Sequence, residues 1–118
     1  GIRAPGDAVK ALAAGADSVM LGREFAECVE SPSDGSIWGM ASKKGKEAHN
    51  ADGYIEGVSS HPKESTTTVA HVVDRYVDGI QSGCSYCNSL SVRQLRENAT
   101  FNVVTPAAYS RNGGFANE

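Results

Sequence analysis

The sequence predicts an α/β fold built from parallel strands. Three observations point there. The opening residues read as strand end, loop, helix, tight turn and strand in succession, which is half of a repeating α/β unit. A second glycine loop, at Gly22, runs straight into another helix start. Further on, Val69, Val72, Val73, Tyr76, Val77 and Ile80 recur at helical spacing, giving one long amphipathic helix.

Each element has a local reason. Gly1–Arg3 reads as the tail of a strand. Pro5 suits the first turn of a helix, where its missing N–H costs nothing. Residues 7–14 follow as helix, with Val9, Leu12 and Ala13 on one face, and Gly15 is a natural stop. Asp17–Gly22 is a short apolar strand, and Gly22–Glu27 opens a short helix. Ser31–Gly39 is rich in turn residues. Met40–Asn50 reads as a polar helix weakened by Gly45. Residues 51–64 carry no period and read as a mobile loop. Gly83 is expected to loosen the end of the long helix. Ser91 with Gln94 has the spacing of a capping box for a helix through Asn98. Phe101–Val104 is strand-like, Pro106 should stop it, and residues 110–118 form an Asn- and Gly-rich tail expected to fray.

Composition narrows the function classes. At 118 residues the chain suits at most one compact domain. It is 40% hydrophobic and 21% charged, as ordinary globular sequences are. It holds no run of about 18 apolar residues, so no membrane span is expected. It shows no secretory pattern, and a cytoplasmic location is expected. A net charge of -3 argues against nucleic acid as a partner. The chain opens on Gly1 in mid-strand, so it is expected to be part of a larger domain. Cys28, Cys84 and Cys87 make an odd count that reads as reduced thiols. Cys84 and Cys87 form a CxxC without a second ligand pair, so no metal site is expected.

Read without any family, the two glycine loops are the informative unit. Glycines let backbone amides approach an anion closely, and in (β/α)8 barrels the loops after the last two strands commonly hold a phosphate. Plain α/β turns explain the same residues, and both readings stand at this point. His71 reads as a boundary residue of the long helix. His49 and His61 lie in or beside polar loops, where either could act as an acid or base. Lys43, Lys44 and Lys46 read as a solvated charged face. Trp38 could cap a pocket or fill a gap in the core.

Longer strings carry more. Gly1-Ile2-Arg3-Ala4-Pro5-Gly6-Asp7, Lys10–Ala16, Val19-Met20-Leu21-Gly22, Gly39-Met40-Ala41-Ser42, Glu56-Gly57, Gly79-Ile80 through Tyr86, Leu95-Arg96-Glu97-Asn98 and Thr105-Pro106 occur in this order. Together they resemble the IMP dehydrogenase / GMP reductase family over most of the chain. The resemblance implies the C-terminal portion of a (β/α)8 TIM barrel: the end of strand seven, helix seven, strand eight, a flap over residues 49–64, and helix eight. Residues 1–118 would be one incomplete barrel domain. The family's redox cysteine and its ribose-contacting aspartate would lie upstream, and neither Cys84 nor Cys87 takes the cysteine's role.

The same resemblance implies the site. Gly1 and Gly22 would line a 5′-phosphate, with the Arg23 amide beside them; the family often has a small residue where Arg23 stands. Gly39, Met40, Ala41 and Ser42 would continue the nucleotide pocket through main-chain groups. Ile37 stands where dehydrogenases usually place a phosphate-contacting tyrosine. Glu56, followed by Gly57, matches the residue that hydrogen-bonds the purine edge. The implied partners are a purine nucleoside 5′-monophosphate and a second, third and fourth copy in a homotetramer. The implied cofactor is NADP or NAD, with a monovalent cation as a further candidate.

Two reactions remain open. Both pass a hydride between a nicotinamide and C2 of the purine through a cysteine adduct. The dehydrogenase, which oxidises IMP to XMP, must also hydrolyse that adduct, typically with a flap Arg–Tyr pair. Here the stretch reads Ser60-His61-Pro62-Lys63-Glu64, without the pair, although His61 could itself serve as the base. Residues 39–42 and Cys84-Ser85-Tyr86 look more like reductases, whereas Leu95–Asn98 and Thr105–Ala107 look more like dehydrogenases. The balance falls slightly toward NADPH-dependent reductive deamination of GMP to IMP. Outside that class, a non-catalytic phosphate-binding piece and a redox or metal module at Cys84 and Cys87 are the alternatives. The 118-residue chain alone is expected to be inactive, because two strands cannot close a barrel.

Overall fold

The computed structural model describes residues 1–32, 36–55 and 66–111. Its first helix, α1 (Pro5–Ala13), opens on Pro5. The Asp7 carboxylate accepts the amides of Arg3 and Ala4 at 3.1 and 3.2 Å. The Arg3 bond foremost, with Lys10 beside it, holds the Asp7 carboxyl below its ordinary range. Five further helices follow among the described residues: α2 (Arg23–Ala26), α3 (Lys43–Ala48), α4 (Val69–Tyr86), α5 (Val92–Asn98) and α6 (Pro106–Arg111).

Packing centres on α1, which lies against both α4 and α5, while α2 rests on α4. Ala8, Cys28, Val72 and Tyr76 form the buried cluster, and Ile2, Val19, Leu21 and Phe25 pack onto it. Gly79 and Gly83, one turn apart on α4, make the close approach possible. A Cβ at Gly79 would sit 2.3 Å from Pro5 Cβ, and one at Gly83 would sit 2.5 Å from Val9 Cγ1. Gly83 therefore does not loosen the helix. It is a contact surface inside α4, which continues to Tyr86.

The inward line of α4 runs through Val72, Tyr76, Gly79 and Gly83 rather than along the whole apolar stripe. Val69, Val73 and Val77 stay exposed, since no second layer covers that line among the described residues.

Three helices end in the same way. Beyond α1, Gly15 takes φ +113° while the amides of Gly15 and Ala16 donate to Leu12 and Ala11. Asn50 after α3 and Asn88 after α4 both take φ 49°, with the same pair of back-bonds. These are Schellman turns, in which a left-handed residue lets two amides satisfy the last carbonyls. Two N-termini are capped by side chains. The Thr68 hydroxyl accepts from His71, and that of Ser91 from Gln94. Gln94 Oε1 accepts from Leu90, one residue earlier than a capping box requires. Arg96 donates to the carbonyls of Leu12 and Ala16 and to the Asp17 carboxylate, which ties α5 to the end of α1.

Other expectations change. Residues 1–3, 17–21 and 101–104 are not in strand ladders, and Ile37 is the one bridge residue among those described. A parallel strand's polar backbone is satisfied by strands on either side, and the described residues supply none. Met20, Phe101 and Val103 are correspondingly exposed. The polar helix predicted over residues 40–50 is confined to α3, because Ser42 caps it and Asn50 ends it. Pro106 stops nothing: it opens α6 (Pro106–Arg111), with the Thr105 hydroxyl accepting from Ala108. Residues 110 and 111 belong to that helix, and the remainder of the expected tail lies outside the described residues. Among the described residues no helix is long and apolar enough to cross a membrane.

In the protein that carries this chain, Gly83→Ala is expected to cost about 1–3 kcal/mol of stability, the usual penalty of overpacking. Thermal unfolding reads the loss. Val9→Ala in the same background should recover most of it, because it removes the methyls that the new Cβ meets.

Candidate functional site

The site begins where the packing leaves two glycine turns. Gly1 precedes Ile2 and Gly22 follows Leu21, and both of those side chains rest on the same buried cluster. The two turns are thus held to one core. A Cβ built at Gly1 or Gly22 would meet nothing within 4 Å. Gly22 has φ -98° and ψ -72°, which any residue can adopt. This part of the chain can fold without glycine at position 22, and the turn offers bare backbone to whatever approaches it. The amides of Gly22, Arg23 and Glu24 face no acceptor among the described residues.

Behind the turn, α2 is only four residues long and depends on its surroundings. Phe25 packs on the core cluster. The buried Cys28 thiol donates to the Glu24 carbonyl at 3.2 Å. Burial, with Glu30, Glu24 and Glu27 nearby, pushes that thiol's pKa up, which keeps it protonated and unreactive. The Glu24 carboxylate pairs with Arg75 of α4, whose guanidinium lies 5.6 Å from the Tyr76 ring centre. The Tyr76 hydroxyl is buried without a partner among the described residues, and burial raises its pKa. Arg23 is exposed, and no described carboxylate pairs with it.

A second turn, Gly39–Ser42, is built differently. Ser42 is 1% exposed, and its hydroxyl is fully engaged. It donates to the Gly39 carbonyl at 2.7 Å and accepts the Gly45 amide at 3.1 Å, closing the turn and capping α3 in one stroke. Gly45 is needed here, because a Cβ would lie 2.3 Å from the Gly39 oxygen. Gly39, Met40 and Ala41 remain exposed, so the turn presents main chain together with the Met40 side chain. Trp38 lies beside His49, with ring centres 6.1 Å apart, and so packs across this small unit.

The structure brings Gly1 and Gly22 to one cluster, but it does not pack α3 and its turn on the other helices as α1, α2, α4 and α5 pack together. α3 is short and polar and buries only Gly45. Ties elsewhere fix the ends of the intervening stretch. The Val29 amide donates to the Thr67 carbonyl at 3.0 Å, and the Glu30 carboxylate accepts the Val69 amide at 3.1 Å. The start of α4 is thereby held beside the end of α2. Glu56, Gly57 and His61 lie outside the described residues, as does most of the expected flap.

Lys43, Lys46, Glu47, Asn50, Asp52 and Ile55 line an open cleft of about 460 Å³. Lys43 pairs with Glu47, and Lys46 donates to the Asp52 carbonyl, so these lysines serve local structure as well as solvation. Cys84 and Cys87 are half-buried free thiols, and no cluster of three metal-ligating side chains occurs among the described residues. Sequence reasoning missed Glu24, Glu30, Arg75 and Arg96, each of which acts on a distant element. Their only sequence signal is a charged residue at a helix face or end.

With Ser42 committed to two hydrogen bonds, Ser42→Ala should destabilise the turn by about 0.5–2 kcal/mol, as loss of a helix cap does. Amide hydrogen exchange at Gly45 and Lys46 should quicken in this variant and stay unchanged in Lys44→Ala, a control at an exposed position.

Known proteins resemble this chain. A family profile described as IMP dehydrogenase / GMP reductase domain matches residues 1–114. An inosine-5′-monophosphate dehydrogenase of Chlorobaculum tepidum is 32% identical over 133 aligned positions, covering 91% of this chain and 26% of that protein. One of Bacillus subtilis is 35% identical over 125, covering 91% and 25%. Among solved structures, a GMP reductase of Trypanosoma brucei, in complex with guanosine 5′-monophosphate, superposes with a TM-score of 0.79 at 32% identity. That match covers 98% of this chain and 27% of the other. The chain thus spans about a quarter of the length of the relatives it matches.

Proposed function

This chain belongs to the IMP dehydrogenase / GMP reductase domain family, and from that premise we propose that the intact protein is a purine-nucleotide oxidoreductase dependent on NADP or NAD. In this reading a nucleoside 5′-monophosphate lays its phosphate on the backbone at Gly1, Gly22 and Arg23. The observation that carries the reading is that two glycine turns, 21 positions apart in sequence, are anchored through Ile2 and Leu21 to one core cluster. Amides that meet no acceptor among the described residues, at Gly22 and Arg23, give an anion donors that need no side-chain rearrangement. The exposed guanidinium of Arg23 can add a charge-assisted contact.

The main chain of Gly39, Met40, Ala41 and Ser42 continues the nucleotide pocket, with the Ser42 side chain shaping it rather than touching ligand. Glu56 accepts from a ring N–H of the purine, with Gly57 beside it, and a site built for that bond rejects bases that lack the donor. An open cleft beside α3 is lined by Lys43, Lys46, Glu47 and Asp52, of which Lys43 pairs with Glu47 and Lys46 donates to the Asp52 carbonyl. In this reading the residues named above supply the mononucleotide side of the reaction.

Between the two reactions we favour reductive deamination of GMP to IMP, because Ser60-His61-Pro62-Lys63-Glu64 lacks the Arg–Tyr pair that hydrolysis typically uses. Oxidation of IMP to XMP, with His61 as the base that activates water, is the second reading. The isolated 118-residue chain is inactive in either case.

Purified intact protein decides the matter. GMP with NADPH should give IMP faster than IMP with NAD gives XMP. Steady XMP formation reverses the order, and no turnover with either pair refutes the oxidoreductase reading.

A further inference from the structure

We propose that Arg75 is a positioning residue for the mononucleotide, acting by cancelling the charge of Glu24 directly behind the Gly22–Arg23 turn. The inference rests on the functional reading above and assigns a role to two residues that reading does not use.

Glu24 is an awkward residue for its place. It stands two positions after Gly22, in the first turn of α2, and only 16% of its side chain is exposed. A carboxylate so little hydrated keeps much of its field, and it would repel an incoming phosphate dianion. Arg23 is its chain neighbour, but adjacent side chains on a helix diverge, and Arg23 is exposed. The charge is met from another element. Arg75 reaches across from α4 to pair with the Glu24 carboxylate, and its guanidinium is steadied beside the Tyr76 ring at 5.6 Å. Glu30 and Glu27, also near the end of α2, add negative charge to this side of the core, while Glu30 is engaged at the start of α4.

Two consequences follow for the site. The Arg75–Glu24 pair holds a helix too short to persist by itself. It also cancels the nearest of these carboxylate charges, that of Glu24, so that it does not oppose the backbone amides and Arg23. These roles separate experimentally. If Arg75 only braces α2, removing the Glu24 charge harms binding; if it cancels charge, removing that charge helps.

The test uses the intact protein, with KM and kcat for GMP and IMP and the thermal midpoint measured for each variant. Arg75→Gln should raise KM about tenfold or more, the size expected of a partly screened unit charge near an anion. The same variant should change kcat far less than KM. Glu24→Gln alone should lower KM, and the Glu24→Gln/Arg75→Gln double variant should return KM close to that of the unaltered protein. The Glu24→Gln arm stands even if Arg75→Gln fails to fold. An unchanged KM in Arg75→Gln overturns the proposal, and so does a raised KM in Glu24→Gln or in the double variant. An unaltered protein that binds no purine mononucleotide overturns the functional reading and this inference together. Normal binding with KM indifferent to both charges overturns this inference alone.

Discussion

The approach of α4 to α1 is the constraint on which the remaining structure depends. Two helices come close enough for backbone to meet side chain only where one of them lacks a Cβ. Gly79 and Gly83 supply that, one turn apart, against Pro5 and Val9. The contact leaves Ala8 fully buried and sets Val72 and Tyr76 under the residues that flank both glycine turns. Glycine inside a helix costs about 0.8–1.0 kcal/mol relative to alanine. Two such residues in α4 are offset here by interhelical packing that a larger residue would prevent.

The candidate site inherits its order from that core through short links. Ile2 and Leu21 anchor the turns at Gly1 and Gly22. Phe25 and the Glu24–Arg75 pair hold α2, and Arg96 closes the end of α1 against α5. The Gly39–Ser42 turn is a separate small unit, closed by the Ser42 amide and hydroxyl, which both donate to the Gly39 carbonyl, and by the absence of a side chain at Gly45. Each turn presents main chain outward, beside the exposed side chain of Arg23 or Met40. A site of that kind recognises by backbone geometry, so its tolerance to substitution depends on the residues that hold the backbone.

Much of the helical framework was legible in the sequence for local reasons. Pro5, Gly15, Ser91 and the 3.6-residue period of the valines each act within one turn of the chain. The Schellman residues Asn50 and Asn88 carried the same signal as Gly15, but asparagine adopts the left-handed region less often and was passed over. Gly83 was misread because a helix end and a helix contact both favour glycine, and only the position of Val9 separates them. The strand-like runs at residues 17–21 and 101–104 have the right composition. Ladder formation, however, belongs to neighbouring strands and not to the run itself. For the proposed site, the glycine strings single out Gly1 and Gly22 as candidates. Long-range charged contacts such as Arg75 with Glu24, 51 positions apart, leave no trace in local pattern.

In the proposed function, two turns fixed to one core converge on the 5′-phosphate of a purine mononucleotide. A crystal structure of the intact protein with GMP bound checks this. The phosphate oxygens should lie within about 2.7–3.2 Å of backbone nitrogens at Gly22 and Arg23, with Gly1 lining the same anion. A phosphate seated away from these turns, or turns that open on opposite sides of the protein, would contradict it.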